Sequence, residues 1–195
     1  MNKRVLSIKK LSNGLLKNET KEMTGRSRGV RIREGIEKAL GEAKGTLRVI
    51  LDFSGIGAVD FSWADEVVAK MVSRLWSGEY GEKFLLLKGL TPSQAENIHV
   101  ALERKRLAVL TIGPEGWEII GSLNNYLIHT LNQVMKRKRL TLRQLSEEER
   151  IGMNTSGTRL LNLYKKRLVA RLEGPTVGKD DPHRGRQFVY RSLLS

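Results

Sequence analysis

The sequence predicts two folded parts, an α/β domain with a mixed sheet and helices over residues 1–122 and a smaller α+β domain over residues 123–195. Three observations predict this division. Apolar runs typical of buried strands alternate with helical patterns in the first part. In the second part, three helical patterns are followed by a predicted strand pair. The net charge changes as well, from +5 over residues 1–122 to +9 over residues 123–195.

Composition indicates a folded protein with phosphate-bearing partners. The 195 residues carry 35 Lys and Arg against 21 Asp and Glu, a formal net charge of +14, and 39% are hydrophobic. Such a balance favours nucleic acid first and an anionic membrane surface second. No apolar run reaches the length of a membrane span, and the start of the chain lacks the apolar core of a signal peptide. We therefore expect a cytoplasmic protein without a membrane partner.

The strands of the first domain are predicted from short apolar runs. The runs at 47–53 and 84–87 are nearly continuous, as expected for central strands buried on both faces. The runs at 107–112 and 117–120 flank a Gly-Pro-Glu-Gly turn and predict a hairpin. A further strand is favoured by apolar residues at the start of the chain, which are Val5, Leu6 and Ile8.

The helices of this domain are predicted from apolar residues at helical spacing, over 32–40, 64–75 and 95–102. Thr91 and Gln94 have the spacing of a capping box at the start of the third helix. Ser62 with Asp65 resembles a capping box at the start of the second. The predicted order is strand, helix, strand, helix, strand, helix, strand.

Two segments of the first domain resemble the STAS-like proteins, named for sulphate transporters and anti-sigma-factor antagonists. A predicted strand ends in DFSG at 52–55, and the next helix begins with FSWADE at 61–66, a pairing similar to that of a bacterial branch of the family. The resemblance covers roughly residues 25–110. It implies a STAS-like fold with a mixed sheet, and a protein partner that in the antagonists is a kinase-like ATPase.

The resemblance also marks a candidate regulatory or partner site at Asp60 and Ser62. In the antagonists, the helix after this strand begins with Asp-Ser-Ser-Gly, and the partner phosphorylates the first Ser. Phe61 stands at that position here, and the hydroxyl lies one residue later, at Ser62. The alternative interpretation is that Ser62 only caps the helix, because Ser is a common N-cap residue.

An enzyme is the weakest hypothesis for this sequence. The carboxylates of Asp60, Asp65 and Glu66 are ordinary partners of a helix N-terminus. The chain has no cysteine, and its three histidines are scattered without neighbouring ligands at metal spacing. We therefore expect no catalytic residue, no metal site and no cofactor.

The second domain, placed after a boundary near Gly121 and Ser122, has three predicted helices and a hairpin. The helices are expected over 123–134, 140–145 and 154–169, and the strands over 168–172 and 187–191. Thr141 and Gln144 have capping-box spacing at the start of the second helix.

From residue 140 onward, this order resembles the winged helix-turn-helix family, which implies a DNA partner. Binding to DNA requires short polar side chains for base edges and Lys or Arg for phosphates. If Leu160, Leu163 and Leu168 face inward, the third helix leaves the following residues for DNA: Thr155, Ser156, Thr158, Arg159, Asn162, Lys165 and Lys166. The hairpin loop adds three candidates for phosphates or a minor groove, which are Lys179, Arg184 and Arg186.

The leading hypothesis is a two-domain regulator whose STAS-like domain senses a partner or signal and whose winged helix binds DNA. Paired half-sites are common for such domains, so a homodimer is compatible with this hypothesis. The alternative is a protein-interaction adaptor that partners a kinase-like ATPase, since winged helices also serve as protein-interaction modules.

Overall fold

The computed structural model describes residues 1–16, 22–174 and 188–195. The chain divides into two compact units, Met1–Leu123 (unit 1) and Asn124–Ser195 (unit 2). Unit 1 is an α/β fold with a mixed five-stranded sheet, the class that the sequence predicts for this part. None of the helices in the described part of the chain is long and apolar enough to cross a membrane.

The sheet of unit 1 has its strands in chain order, β1-β2-β3-β4-β5. The strands are β1 (Asn2–Ser7), β2 (Leu47–Asp52), β3 (Lys83–Lys88), β4 (Ala108–Gly113) and β5 (Gly116–Gly121). The first four are parallel, and β5 is antiparallel to β4, so the predicted hairpin is confirmed. Ile50 lies opposite both Val5 and Leu86 in the ladder. Buried residues follow one another along β2 and β3, as in central strands covered on both faces.

The helices of unit 1 are α1 (Ile8–Leu16), α2 (Arg26–Gly41), α3 (Phe61–Ala64), α4 (Lys70–Ser77) and α5 (Pro92–Glu103). A π-helical segment, Asp65–Ala69, joins α3 to α4 without a break. The capping box at Thr91 and Gln94 is confirmed. The main core contains sheet residues such as Val49, Leu51 and Leu87, together with helix residues such as Ile32 and Val68.

Helix α1 is absent from the predicted order. Ile8, expected in a strand, is the first residue of this helix and is fully buried. The Ser7 hydroxyl oxygen accepts a hydrogen bond from the backbone N–H of Lys10, at 3.3 Å, which satisfies one of the free donors of the first turn. Ile8 and Ser12, four residues apart, both lie on the buried face of α1.

Within residues 124–174 and 188–195, unit 2 has three helices and a three-stranded antiparallel sheet in the order β6-β8-β7. Its elements are α6 (Asn125–Arg137), β6 (Arg139–Thr141), α7 (Leu142–Glu149), α8 (Met153–Lys165), β7 (Val169–Glu173) and β8 (Phe188–Ser192). The capping box at Thr141 and Gln144 is confirmed. Leu140, expected in a helix, lies instead in β6, where it faces Tyr190 of β8. Helix α8 ends four residues before the predicted end at 169, because Arg167 adopts a left-handed φ of 57°.

Candidate nucleic-acid interface

Helix α8 has one buried face and one solvent-facing polar face. Ser156, Leu160 and Leu163 are fully buried and recur at i, i+4 and i+7, which fixes the rotation of the helix in unit 2. The opposite face carries Thr155, Thr158 and Lys165, all of them exposed. Helix α8 therefore offers hydroxyl and ammonium groups to a partner.

A shallow, open groove of about 410 Å³ lies along this face. It is lined by Tyr126 of α6 and by five residues of α8, which are Asn154, Thr155, Thr158, Arg159 and Asn162. Two amides, two hydroxyls, one guanidinium and one aromatic ring thus converge on one concave surface. We call this set of six residues the α8 surface.

Within the α8 surface, the Thr158 hydroxyl already has a partner. It donates a hydrogen bond to the backbone carbonyl of Asn154 at 2.8 Å, one helical turn earlier. Since a hydroxyl has a single proton to donate, the groups left for contact with a partner are the methyl and the lone pairs of the hydroxyl oxygen, which accept hydrogen bonds.

The prediction for Ser156 is wrong. This side chain is fully buried, and its hydroxyl donates to the backbone carbonyl of Gly152 at 3.2 Å. Ser156 is four residues before Leu160 and so shares its inward direction. Its polarity suggested a surface position, but a small side chain whose hydroxyl bonds to its own helix can be buried without an unsatisfied group.

Arg159, expected to be available for DNA, is held within unit 2. Its Nη1 donates to Oε2 of Glu149 at 2.9 Å, and only 22% of its side chain is exposed. Its guanidinium carbon also lies 5.4 Å from the centre of the Tyr126 ring, within the range of a cation–π interaction. Arg159 therefore pairs with an acid of unit 2 and is only partly exposed.

The remaining predicted residues of α8 differ in exposure. Asn162 is half-buried and lines the groove, and Lys165 is exposed near the end of the helix. Lys166 is half-buried, and this burial lowers the pKa of its ammonium. The candidates of the hairpin loop, which are Lys179, Arg184 and Arg186, lie outside the described residues.

Cation–π contacts connect the end of α8 to the hairpin. The guanidinium carbon of Arg171 lies 4.4 Å from the ring centre of Tyr164 and 4.2 Å from that of Phe188. Arg167 lies over Tyr164 as well, at 5.2 Å. Contacts of this kind contribute about 0.5–2 kcal/mol each. They hold the β7–β8 hairpin next to the last turn of α8.

Sequence reasoning missed Tyr126, Asn154 and Glu149. Asn154 precedes the first predicted contact by one residue, and its polarity was a usable signal. Tyr126 and Glu149 lie 28 and 5 residues before Asn154, on α6 and α7. No local pattern reports that these two residues contact α8, because the contacts depend on how the three helices pack.

In unit 1, Asp60 rather than Ser62 caps the helix, so the capping box predicted for Ser62 and Asp65 is wrong. Oδ1 of Asp60 accepts from the backbone N–H of Trp63 at 2.7 Å, and Oδ2 accepts from the backbone N–H of Gly25 at 2.8 Å. Both carboxylate oxygens are thus used by backbone amides. Ser62 is the second residue of α3 and is half-buried.

The other two acids of this region belong to an ion-pair cluster. Glu66, with a side chain only 1% exposed, pairs with Arg26, Arg33 and Lys70 at 2.6–3.2 Å. Burial raises the pKa of Glu66, but hydrogen bonds from Lys70 and Arg33 outweigh this effect and hold the pKa below its ordinary value.

Asp65 is part of the same cluster. It pairs with Arg26 at 3.0 Å and with Lys105 at 2.5 Å. Burial raises the pKa of Asp65, and hydrogen bonds from Lys105 and Arg26 more than reverse this effect. Both Asp65 and Glu66 therefore join helices to one another, a role that goes beyond favourable contact with a helix N-terminus.

Among residues 1–16, 22–174 and 188–195, no three His, Asp or Glu side chains come together in a group that could hold a metal ion. No protein-family model matches the chain. A comparison with curated proteins gives no significant match.

Proposed function

We propose that this protein is a DNA-binding regulator. Unit 2 acts as a winged helix-turn-helix domain that binds DNA through α8, and unit 1 acts as a STAS-like domain that responds to a signal or a partner protein. The observation that carries the proposal is the exposed polar face of α8, with its amide, hydroxyl and ammonium groups beside a concave surface.

The order of elements in unit 2 supports this assignment. Helices α6, α7 and α8 precede the β7–β8 hairpin, and the short strand β6 adds a third strand to it. In helix-turn-helix proteins, the helix after the turn enters the major groove and contacts bases with its N-terminal residues. Asn154, Thr155 and Thr158 occupy that half of α8.

The charge of the chain supports DNA over a protein partner as the ligand of unit 2. Residues 123–195 carry 15 basic and 6 acidic side chains. An excess of this size on a small unit favours phosphate contacts, because each neutralised phosphate releases counterions. Lys165, exposed on the same face as Thr158, is well placed for such a contact.

Unit 1 supports the second half of the proposal through its mixed sheet and the segments at 52–55 and 61–66. The adaptor hypothesis uses the same resemblance and makes unit 2 a second surface for a protein partner, but it gives no role to the excess of basic side chains over residues 123–195. The proposal keeps the cytoplasmic location expected from the sequence.

The test is the DNA affinity of the full-length chain as a function of salt concentration, measured by fluorescence anisotropy with a labelled mixed-sequence duplex. We expect tight binding at low salt and a steep loss of affinity as salt rises. Lys165→Ala is expected to reduce the slope of log K against log salt by about 1.

Lys38→Ala is the matched control, because Lys38 is an exposed lysine of α2 in unit 1. It is expected to leave the slope unchanged. Absence of binding at low salt would reject the proposal, and so would a slope that responds equally to both substitutions.

A further inference from the structure

The α8 surface contains one cationic side chain, Arg159, which pairs with an acid instead of facing outward. Glu149, the last residue of α7, has a side chain only 10% exposed and accepts from Arg159 Nη1 at 2.9 Å. Moving the guanidinium outward would leave this carboxylate largely buried without its partner, which is costly in free energy. The ground state of unit 2 therefore keeps Arg159 turned toward Glu149.

The position of Glu149 is itself determined by neighbouring elements. Nε2 of His129 on α6 lies 3.1 Å from Oε1 of Glu149, an ion-pair distance for a protonated imidazole although the hydrogen-bond geometry is poor. Arg150, the next residue, has a left-handed φ of 51° that ends α7 at this point. Arg159 is further restrained by the ring of Tyr126. Three helices thus contribute to holding one guanidinium.

What remains on the α8 surface for base edges is neutral. Asn154 and Asn162 carry amides, Thr155 carries a hydroxyl, and Thr158 offers its methyl group and a hydroxyl oxygen that can accept a hydrogen bond. In the major groove, Asn pairs with the N6 and N7 atoms of adenine, and a Thr methyl contacts the methyl of thymine. Guanine is bound mainly by Arg or Lys, through O6 and N7. The exposed chemistry fits A·T base pairs.

We infer that α8 recognises A·T base pairs, and that Glu149 determines this specificity by keeping Arg159 away from guanine. The inference rests on the proposed function, because it names the base pairs that the same helix contacts. Glu149 acts through Arg159 and is thus a positioning residue. A good bidentate contact discriminates against the wrong base by about 5- to 150-fold.

The experiment is selection from a pool of duplexes with a randomised central segment, using the full-length protein and its Glu149→Gln variant. Wild type is expected to enrich A·T pairs at the positions that define the site. Glu149→Gln, which removes the charge that holds Arg159, is expected to accept guanine at one of these positions with at least about 5-fold higher affinity than wild type. The variant Glu149→Gln with Arg159→Met is expected to lose this gain.

Glu148→Gln is the matched control. Glu148 precedes Glu149 on α7 and pairs with Arg137 rather than Arg159. Its substitution is expected to leave base preference as in wild type. Circular dichroism of each variant checks that α6, α7 and α8 remain folded, and a Glu149→Gln variant that unfolds is replaced by Glu149→Ala, which also removes the charge that holds Arg159.

The outcomes separate this inference from the proposed function. Enrichment of guanine by wild type would overturn the inference and leave DNA binding intact. A base preference unchanged in the folded Glu149 variant would also overturn it, since Glu149 would then have no effect on specificity. Failure of any duplex to bind, even at low salt, would overturn the proposed function and the inference together.

Discussion

Single side chains determine where the helices of unit 1 begin and what holds their ends. Asp60 accepts hydrogen bonds from the amides of Trp63 and Gly25, which are 3 and 35 residues away. It therefore caps α3 and ties the segment before α2 to the same point. Ser62, two residues after Asp60, makes no contribution to the cap.

These roles predict unequal effects for substitutions at Asp60 and Ser62. Asp60→Ala is expected to destabilise unit 1 by about 1–2 kcal/mol, because it removes an N-cap. Ser62→Ala is expected to change stability by less than about 0.5 kcal/mol. All three tryptophans, which are Trp63, Trp76 and Trp117, lie in unit 1, so urea unfolding followed by tryptophan fluorescence reports on this unit. Equal effects of the two substitutions would contradict the assignment of the cap.

At the scale of secondary-structure elements, α3, the π-helical segment Asp65–Ala69 and α4 form one continuous helix. Helix α2 approaches this helix at the π-helical segment. Gly29 of α2 has no side chain at this contact. A Cβ placed there would lie 3.0 Å from Cβ and 3.1 Å from Cγ of Glu66. Glu66 cannot easily move away, because three cations hold its carboxylate.

Gly29→Ala is therefore expected to destabilise unit 1 by about 1–3 kcal/mol, although alanine favours a helix over glycine. The matched substitution is Gly14→Ala in α1, where no atom lies within 4 Å of the new Cβ. It is expected to stabilise by up to about 1 kcal/mol. The measurement is the urea midpoint from tryptophan fluorescence, and a stabilising Gly29→Ala would contradict the close contact.

The ion-pair cluster around Glu66 predicts that unit 1 becomes less stable at acid pH. Since the pKa of Glu66 is lowered in the folded state, its ionised form contributes stability above the ordinary pKa of a glutamate, about 4.3. That contribution is lost as the pH falls through the folded pKa. Wild-type unit 1 is thus expected to lose stability progressively below about pH 4.3.

Glu66→Gln is expected to cost about 1.5–3 kcal/mol at neutral pH, because it removes the buried carboxylate that pairs with three cations. Among the described residues, buried Arg33 then keeps only its ion pair with Glu37. The substitution is also expected to flatten the loss of stability in acid. Glu34→Gln serves as the control, because Glu34 is an exposed residue of α2, the helix that also carries Arg33. This variant should keep the wild-type pH profile. The measurement is urea unfolding between about pH 3 and 7. A loss of unfolding free energy at low pH that is the same in wild type and Glu66→Gln would contradict this role.

At the scale of the whole molecule, the chain consists of two units with their own buried residues. Unit 2 buries apolar side chains from all three of its helices and from its sheet, among them Leu131, Leu145, Leu160, Val169 and Tyr190. A unit of this size buries a smaller share of its surface than a larger domain, so its stability depends strongly on such a core.

We expect residues 124–195, produced alone, to fold. The fragment should show a helical circular dichroism spectrum and a cooperative thermal transition, because its elements contact one another closely. Leu160→Ala in the fragment is expected to lower stability by about 2–5 kcal/mol and serves as the core control. A fragment without helical signal would show that unit 2 needs unit 1 to fold.

The sequence by itself determined most of the elements and two of the capping boxes. The central strands, α2, α5 and the hairpins follow from apolar periodicity, and Thr91 and Thr141 follow from cap spacing. These features are local, so a few neighbouring residues suffice to specify them. The uneven charge of the chain was also determined at this level, because it depends only on composition.

Only the tertiary structure decided which polar groups are available for binding. Ser156 is buried, Arg159 pairs with Glu149, and Asp60 replaces Ser62 as the cap. Arg159 pairs with an acid from another helix, and Asp60 accepts from the distant amide of Gly25 as well as from the nearby amide of Trp63. Helical spacing gives the direction of a side chain to within part of a turn, but it does not report which acid, amide or ring lies opposite. That information exists only once α6, α7 and α8, or α2 and α3, are packed together.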